Sequence, residues 1–280
     1  MSTPSRGKGT APLTIRPCHG LAEFEACYKL QRVVWGNSDI DVPTPMFVVA
    51  AETGGQVIGA WLDEDTSPEK MVGFVMAIAG WRDSRPFLHS HMAAVLESFR
   101  DRGIGRALKF AQREDALARG IDLVEWTFDP LEVKNAYFNL MRLGAIARRY
   151  LPNLYGLTTS PLHGGLPTDR LVAEWWLRSP RVAKIVRTAA VAGAPAAKSS
   201  DELLRHAELT SENASILVPA ELARAKSESP RDALRMQSEV REQFLKWFSL
   251  GYVATRIEIN PEGARYTLEP PGATAQLWRK

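Results

Sequence analysis

The spacing of hydrophobic positions predicts alternating strands and helices from residue 13 onwards. Leu21, Phe24, Cys27 and Tyr28 recur at intervals of three, three and one, so they form one face of a helix. Apolar, β-branched runs that are bounded by proline, glycine or charged segments predict strands instead. On these criteria we predict strands at residues 13–17, 57–62, 71–78, 87–96, 121–128, 146–150 and 171–177, and helices at residues 20–35, 46–52, 104–120 and 130–144.

The pattern changes after residue 181. Residues 188–200, TAAVAGAPAAKSS, are small and carry no apolar stripe, which is typical of a linker. Beyond it we predict a strand, an amphipathic helix that ends at Gly251, and a hairpin with a turn at residues 260–263. The predicted organisation is a disordered tail at 1–12, a main domain at 13–180, a linker at 181–200 and an accessory β-α-β-β region at 201–280. The order of elements implies an α/β protein with one mixed sheet and helices on both faces.

Composition and charge exclude several classes of protein. The 280 residues are 45% hydrophobic and 24% charged, with a mean hydropathy of −0.19, which excludes a largely disordered or fibrous chain. The net charge of +3 is not gathered into a basic stripe, so we expect no nucleic-acid partner. No apolar run is long enough to cross a bilayer. The polar tail has no secretory signal, and the two cysteines make no disulfide framework, so we expect a cytoplasmic protein with no membrane partner.

The junction between a predicted strand and a predicted helix at residues 100–106, RDRGIGR, is the most informative segment. Two glycines one residue apart let the backbone approach a ligand, and the helix start favours an anion. Three interpretations compete: a helix start without a ligand, a dinucleotide-binding turn with Glu125 as the ribose partner, and the diphosphate-binding loop of an acyl-CoA enzyme. Leu108 stands where a dinucleotide-binding turn needs its third glycine, which makes a dehydrogenase the weaker alternative.

Residues 95–105, VLESFRDRGIG, resemble the R/Q-x-x-G-x-G/A signature of the GNAT N-acyltransferase superfamily. The order of elements from residue 13 to about residue 177 also resembles that fold. Other segments resemble a bacterial branch of predicted GNAT proteins: HSH at 89–91, WTFDPL at 126–131, NA at 135–136, LGA at 143–145 and LPTDR at 166–170. The resemblance implies a GNAT fold that uses acetyl-CoA or another acyl-CoA as co-substrate.

The same resemblance assigns residues to coenzyme A. It implies that the backbone N–H groups of residues 101–106 bind the diphosphate and that the backbones of two β-strand residues pair with the pantetheine arm. An asparagine at the next helix start would lie near the pantetheine. The implied coenzyme-binding residues are Ala93, Val95, Arg100, Asp101, Arg102, Gly103, Ile104, Gly105, Arg106 and Asn135.

Transfer of an acyl group to an amine needs a base for the amine and a proton for the leaving thiolate. His89 and His91 lie two apart on a predicted strand, which predicts a shared face, and their offset resembles the histidine pair of serotonin N-acetyltransferase, a GNAT enzyme. A histidine that only packs against the sheet is the alternative. Leu140 stands at the family's usual acid position, so we predict Tyr155 as the acid, with Tyr137 or solvent as alternatives.

The predicted acceptor is a primary amine of a small molecule or an amino acid. Asp129 is predicted either to bind its ammonium group or to cap the next helix. Arg82, with Arg85, is predicted to contact a carboxylated acceptor, and no metal site is predicted. We predict direct attack by the amine without a covalent enzyme intermediate. A CoA-binding sensor or assembly module without catalysis is the alternative, and a homodimer is left open.

Overall fold

The computed structural model of the chain describes residues 12–36, 41–62, 64–156, 165–191 and 212–274. The predicted tail, apart from Pro12, and the second half of the predicted linker lie outside these residues. The strands are β1 Leu13–Pro17, β2 Gln56–Leu62, β3 Met71–Arg82, β4 Arg85–Val95, β5 Leu123–Phe128, β6 Ile146–Leu151, β7 Arg170–Trp176, β8 Ala214–Pro219, β9 Val253–Asn260 and β10 Gly263–Glu269. The α-helices are α1 Gly20–Trp35, α2 Thr44–Glu52, α3 Ile104–Ala118, α4 Val133–Tyr137, α5 Pro180–Val191, α6 Leu222–Glu228, α7 Pro230–Ser249 and α8 Pro271–Thr274.

Two compact units share this chain. The first consists of Met1–Ala79 with Ser90–Asp115, and the second of Gly80–His89 with Ala116–Lys280. Strands β3 and β4 therefore contribute residues to both units.

In the first unit, β1 pairs antiparallel with β2, and β2 pairs antiparallel with β3. Alternating side chains of these strands enter two apolar clusters. One cluster joins the strands to α1 and α2 through residues such as Phe24, Phe47 and Phe74. The other joins the opposite face to α3 through Val75 and Leu108. The start of α3, which carries the predicted diphosphate-binding turn, is thus fixed by apolar packing.

Strand β4 does not keep a strict alternation between Ser90 and Ala94. The Ser90 hydroxyl accepts a hydrogen bond from Lys109 on α3, whereas Ala94 packs in the cluster of α1 and α2. Residues four apart in a regular strand share a face. The strand is therefore irregular between them, and spacing alone no longer guarantees a shared face for His89 and His91.

Lys109 is almost fully buried in the first unit. Its ammonium group donates to the Ser90 hydroxyl at 2.7 Å and to Oε1 of Gln112 at 3.1 Å. Loss of hydration lowers the pKa of Lys109 to about 7. Burial of this ammonium group therefore costs folding free energy at any pH where the group is protonated.

This burial predicts a pH dependence that the variant Lys109→Met removes. Between a folded-state pKa of about 7 and the ordinary value of 10.5, the unfolded chain holds a proton on Lys109 that the folded chain does not. The free energy of unfolding of the wild type should therefore rise with pH over this window by up to about 1.4 kcal/mol per unit more than that of Lys109→Met. Urea unfolding of both proteins at pH 7, 8 and 9 measures the difference, and parallel curves would contradict it.

In the second unit, the ends of β3 and β4 form a hairpin whose turn residues, Asp83 and Ser84, both have positive φ angles, as a type I′ turn requires. Strand β4 then pairs in parallel with β5 over two residues only, Leu88 with Val124 and His89 with Glu125. The remaining order is β5-β7-β6-β9-β10-β8, and every neighbouring pair in it is antiparallel. Parallel and antiparallel pairs occur together, so the predicted mixed α/β class is confirmed.

The helix that was predicted to begin at Pro130 begins later, at Val133. Pro130 and Leu131 instead form a turn, because the Asp129 carboxylate accepts the Leu131 amide at 2.8 Å. The helix then widens into a π-turn at Phe138–Arg142, in which the Leu143 amide donates to the Phe138 carbonyl at 3.0 Å.

The predicted linker is wrong in its first part, because residues 181–191 belong to α5. Val182 and Ile185 bury one face of this helix. Next to Val182, the partly buried Arg181 donates to the carbonyls of Leu140, Gly144 and Thr255. One guanidinium group therefore provides hydrogen-bond donors for carbonyl groups at the end of the π-turn and in β9 of the C-terminal region.

The C-terminal region extends the sheet of the second unit. Ala254 of β9 pairs with Ala147 of β6, and the helix α7 packs Phe244 against Tyr150 and Tyr266. The Tyr266 hydroxyl donates to the Pro130 carbonyl at 2.7 Å. The domain boundaries at 13–180 and 201–280 stay predictions.

Among the described helices, none combines the length and hydrophobicity that crossing a bilayer requires.

Candidate functional site

The predicted diphosphate-binding turn is a sharp backbone reversal at the start of α3. Asp101 and Gly103 have φ angles of 61° and 81°, so the chain passes twice through the left-handed region. Ile104 is buried and begins the helix, and the first intrahelical bond runs from the Ala107 amide to the Gly103 carbonyl at 3.0 Å. The N–H groups of the first turn of an α-helix have no acceptor within the helix, which is the property that binds anions at a helix start.

Space beside the two glycines shows what the turn can hold. A Cβ atom at Gly103 would meet no atom within 4 Å, and one at Gly105 would meet only the Val95 side chain, at 3.9 Å. Gly103 is explained by its positive φ angle. Gly105 has no positive φ angle and no crowding neighbour, so the protein's own packing does not demand a glycine there. A ligand that approached the backbone closely would demand one, and a diphosphate would fit this requirement.

Arg100 and Arg102 are exposed at the rim of the turn, and Arg106 is half-buried. Arg100 donates from Nε to the Val95 carbonyl at 3.3 Å, and the Arg102 guanidinium lies over the Phe99 ring at 5.2 Å. Arg106 lies in the first turn of α3. These cations add a positive potential to the helix start.

The two histidines fall in different units, His89 in the second and His91 in the first. His89 is half-buried and lies opposite Glu125 in the register of β4 and β5. His91 is partly exposed, yet the protein atoms around it reduce its hydration and lower the pKa of the imidazole. A lowered pKa keeps this imidazole neutral at neutral pH, as a base requires. Ala93 is exposed on the same strand, and Val95 is half-buried.

Leu140 is fully buried in the π-turn, so no hydroxyl stands at the position where the resemblance places an acid. Tyr137 contacts the guanidinium group of Arg142. Tyr155 lies in the turn after β6, and its side chain is exposed.

Tyr155 is held in place from three sides. Its backbone amide donates to the Thr168 hydroxyl at 2.9 Å, and its own hydroxyl lies 2.9 Å from that of Thr127 on β5. The Arg170 guanidinium lies 5.4 Å from the centre of its ring. The phenol is therefore exposed but oriented, as an acid or a substrate contact must be.

Asp129 and Asn135 take up local contacts. Asp129 accepts the Leu131 amide and so closes the turn before α4, but it does not cap that helix, whose N-cap residue is Glu132. Burial raises the pKa of the Asp129 carboxyl. The Asn135 side chain is exposed and accepts from Asn139, which in turn accepts the Trp126 indole N–H.

Arg82 belongs to a charge network that the sequence did not reveal. Its Nη1 donates to Oε1 of the buried Glu125 at 2.6 Å, and Arg149 donates to the same oxygen at 2.8 Å. Glu174, also buried, accepts from Arg148 and lies 3.6 Å from Arg149. Glu125 is thus committed to arginines, not to a ribose. The partners are up to 43 positions apart in sequence, so no local motif reports them.

A comparison with known families bears on the three interpretations of the glycine turn. Residues 21–139 match the sequence model of the Acetyltransferase (GNAT) family. This segment is a GNAT acetyltransferase domain. The matched range includes α1 to α3, the glycine turn, β5 and α4, and it ends inside the π-turn. The predicted GNAT fold and the acyl-CoA-dependent N-acyltransferase class are confirmed, with acyl-CoA as the co-substrate.

Solved structures of other GNAT proteins are distantly similar. Ribosomal-protein-S18-alanine N-acetyltransferase from Escherichia coli is 16% identical, over 58% of this chain and 92% of its own, with a TM-score of 0.44. NAA60 from Arabidopsis thaliana in complex with acetyl-CoA is 15% identical, over 59% of this chain and 99% of its own, with a TM-score of 0.48. No curated protein matches the sequence. At these identities and TM-scores, nothing about substrate or mechanism rests on the neighbours.

Proposed function

We propose that this protein transfers an acetyl or other short acyl group from acyl-CoA to the primary amine of a small molecule or an amino acid. The observation that supports it best is the open space beside Gly105 at the start of α3, which fits a diphosphate and which the protein itself leaves unexplained. The amides of the turn at residues 101–106 would bind the diphosphate, with Arg100, Arg102 and Arg106 around it. The two free, buried cysteines fit a reducing compartment such as the cytoplasm.

In this proposal the pantetheine arm uses backbone groups of Ala93 and Val95, and Asn135 keeps the coenzyme contact that the resemblance implies. The short parallel pairing of β4 with β5, only two residues long, supports this assignment because a longer ladder would use such groups. When bound, acyl-CoA supplies an activated thioester carbonyl. The remaining chemistry is proton transfer by residues of this chain.

We assign His91 as the base that deprotonates the acceptor amine, directly or through water. His89 would assist His91 in this proton transfer or serve as the base in its place. The lowered pKa of His91 suits this role. Tyr155 would donate the proton that the leaving thiolate takes up, because it is exposed and oriented, whereas Leu140 offers no proton. Neither Cys18 nor Cys27 serves as a nucleophile in this proposal, since both are buried among apolar side chains.

A thiol-release assay tests the proposed function. Acetyl-CoA and succinyl-CoA are each incubated with a panel of amines and amino acids, and with a peptide that has a free N-terminal amine. Amine-dependent release of CoA, with the acylated amine identified by mass spectrometry, is the expected result. Binding of CoA without release by any acceptor would favour the sensor or assembly module.

His91→Ala is expected to lower kcat by on the order of 10²-fold while acetyl-CoA affinity stays within about twofold, because the imidazole acts on the acceptor proton. In the wild type, kcat/KM should fall with decreasing pH through a pKa below the ordinary histidine value of about 6.5. This fall of kcat/KM at low pH should be missing in His91→Ala. Equal turnover in both proteins would remove His91 from the mechanism.

A further inference from the structure

Two buried carboxylates lie directly opposite each other in the second unit. Glu125 of β5 and Glu174 of β7 are register partners, and their side chains are 4% and 2% exposed. Like charges directly opposite on a sheet destabilise it, and taking each carboxylate out of water costs several kcal/mol. The pair therefore depends on the cations around it.

Three arginines supply these cations and outnumber the carboxylates. Arg82 and Arg149 both donate to Oε1 of Glu125, at 2.6 and 2.8 Å, and Arg148 donates to Glu174. Three guanidinium groups face the two buried carboxylates, and Asp83 supplies a further negative charge near Arg82. The convergence of two guanidinium groups on one oxygen also places two like charges side by side.

The outer sides of Arg82 and Arg149 are accessible. The two side chains are 43% and 39% exposed, and among the described residues their side-chain hydrogen bonds go to Glu125, with Arg149 also in an ion pair with Glu174 at 3.6 Å. Each guanidinium group has five N–H donors, so several remain for another acceptor. A planar carboxylate matches the fork of such donors better than other anions of its size, and it would offset the repulsion between the two cations.

The position of this pair relates it to the acceptor amine. His89, one of the two histidines that we assign to amine deprotonation, is the register partner of Glu125. Thr127, whose hydroxyl meets that of Tyr155, lies two residues further along the same strand and hence on the same face. A carboxylate bound by Arg82 and Arg149 would bring its amine to this face.

We propose that Arg82 and Arg149 bind a carboxylate of the acceptor, so that the acceptor class is an amine that carries a carboxylate, as free amino acids do. This inference rests on the proposed function and narrows it. A polypeptide N-terminus or a plain alkylamine lacks a carboxylate close to its amine and should be a poor acceptor. The buried Glu125 and Glu174 act as positioning residues: they bind Arg82 and Arg149 from the inside, so that the remaining N–H donors of the two guanidinium groups face outward.

Matched acceptor pairs test the proposal. Phenylalanine, glutamate, β-alanine and 4-aminobutyrate are each compared with the amide of the same compound, in which only the carboxylate is replaced. We expect kcat/KM for at least one acid to exceed that for its amide by on the order of 10–100-fold. In Arg149→Met this ratio should fall by about tenfold or more, mainly through the KM of the acid. Arg149→Lys, which keeps the charge but loses the fork, should lower the ratio to an intermediate value.

Arg178→Met is the control, since Arg178 makes a comparable ion pair with Asp122 outside the network and should leave the ratio unchanged. If Arg149→Met does not fold, Arg149→Lys and Arg82→Lys carry the test. Equal efficiency for acid and amide, or a ratio that Arg149 variants do not change, would overturn the proposal while leaving N-acylation intact. If no amine is acylated at all, the proposed function fails, and thermal shifts then test binding by Arg82 and Arg149 directly. Stabilisation of the protein by the acid but not by its amide, lost in Arg149→Lys, would support carboxylate binding. Equal shifts with acid and amide would overturn it.

Discussion

Gly105→Val is expected to weaken acetyl-CoA binding on the order of 10²–10⁴-fold while the protein remains folded. The Cβ atom of the new residue would stand 3.9 Å from the Val95 side chain, an ordinary contact, so the fold accepts it. The side chain would occupy the space through which a diphosphate reaches the amides at the start of α3. Loss of two charge-assisted hydrogen bonds, each about 1.5–3 kcal/mol, accounts for the expected change in affinity.

Gly105→Ala separates the effect on ligand binding from the effect on folding, because it should raise the stability of the protein and lower its affinity for acetyl-CoA. The φ angle of Gly105 is not positive, so alanine should stabilise the ligand-free protein by about 0.4–1 kcal/mol. Affinity for acetyl-CoA should nevertheless fall. Gly103→Ala should instead destabilise the protein, since its φ of +81° strains any residue with a Cβ atom.

Isothermal titration with acetyl-CoA and urea unfolding of the ligand-free proteins measure these effects. Gly272→Val is the matched control, because Gly272 also has no atom within 4 Å of an added Cβ and no positive φ angle, but lies in α8. It should leave affinity unchanged. An affinity of Gly105→Val equal to that of the wild type would show that the turn does not bind the diphosphate.

Local patterns were sufficient for the elements around this turn. The apolar period of α1, the two hydrophobic runs of β2 and β3, and the glycine turn before α3 each depend on neighbours within a few residues, and the structure has all of them. The identity of the domain followed from the same short range, because the signature and its strand-turn-helix context are contiguous in sequence.

The sequence failed where partners are distant. Residues 180–191 begin with proline and have Val182 and Ile185 on one buried face, and Arg181 finds carbonyl acceptors at Leu140 and Thr255, far away in both directions. Such tertiary bonds stabilise a helix that composition alone assigned to a linker. Likewise, Asp129 was considered for both capping and substrate binding, and only its bond to the Leu131 amide shows the local role.

The same contrast between local and distant partners holds for the candidate site. The glycine turn before α3 was predicted and is present in the structure, whereas its binding of the coenzyme stays a prediction. Arg82 was predicted as a substrate contact, but its neighbour Arg149 and the carboxylates that hold both were not, since β3, β5, β6 and β7 come together only in the folded sheet. The proton-transfer residues stay predictions, because their roles depend on where the acceptor binds.

Arg241→Met is expected to destabilise the protein by about 3–5 kcal/mol, the largest effect on stability that we predict. Asp169, whose side chain is fully buried, accepts two hydrogen bonds from Arg241, at 2.8 and 3.0 Å, and one from the Tyr150 hydroxyl at 2.6 Å. Removal of the arginine would leave a buried carboxylate without its cation, which is the costly way to break such a pair. Asp169 also accepts the Asn153 amide, so the turn that carries Tyr155 should loosen as well.

A control on the same helix separates this effect from the loss of any arginine. Arg235 pairs with Glu239 at 2.7 Å, but both side chains are more than half exposed, so Arg235→Met should cost at most about 1 kcal/mol. Adding Asp169→Asn to Arg241→Met should recover part of the lost stability, because the double variant buries no unpaired charge. Urea unfolding measures all three proteins. If Arg241→Met were as stable as Arg235→Met, α7 would not be tied to the Tyr155 turn through Asp169, and the C-terminal region would have no energetic link to the candidate site.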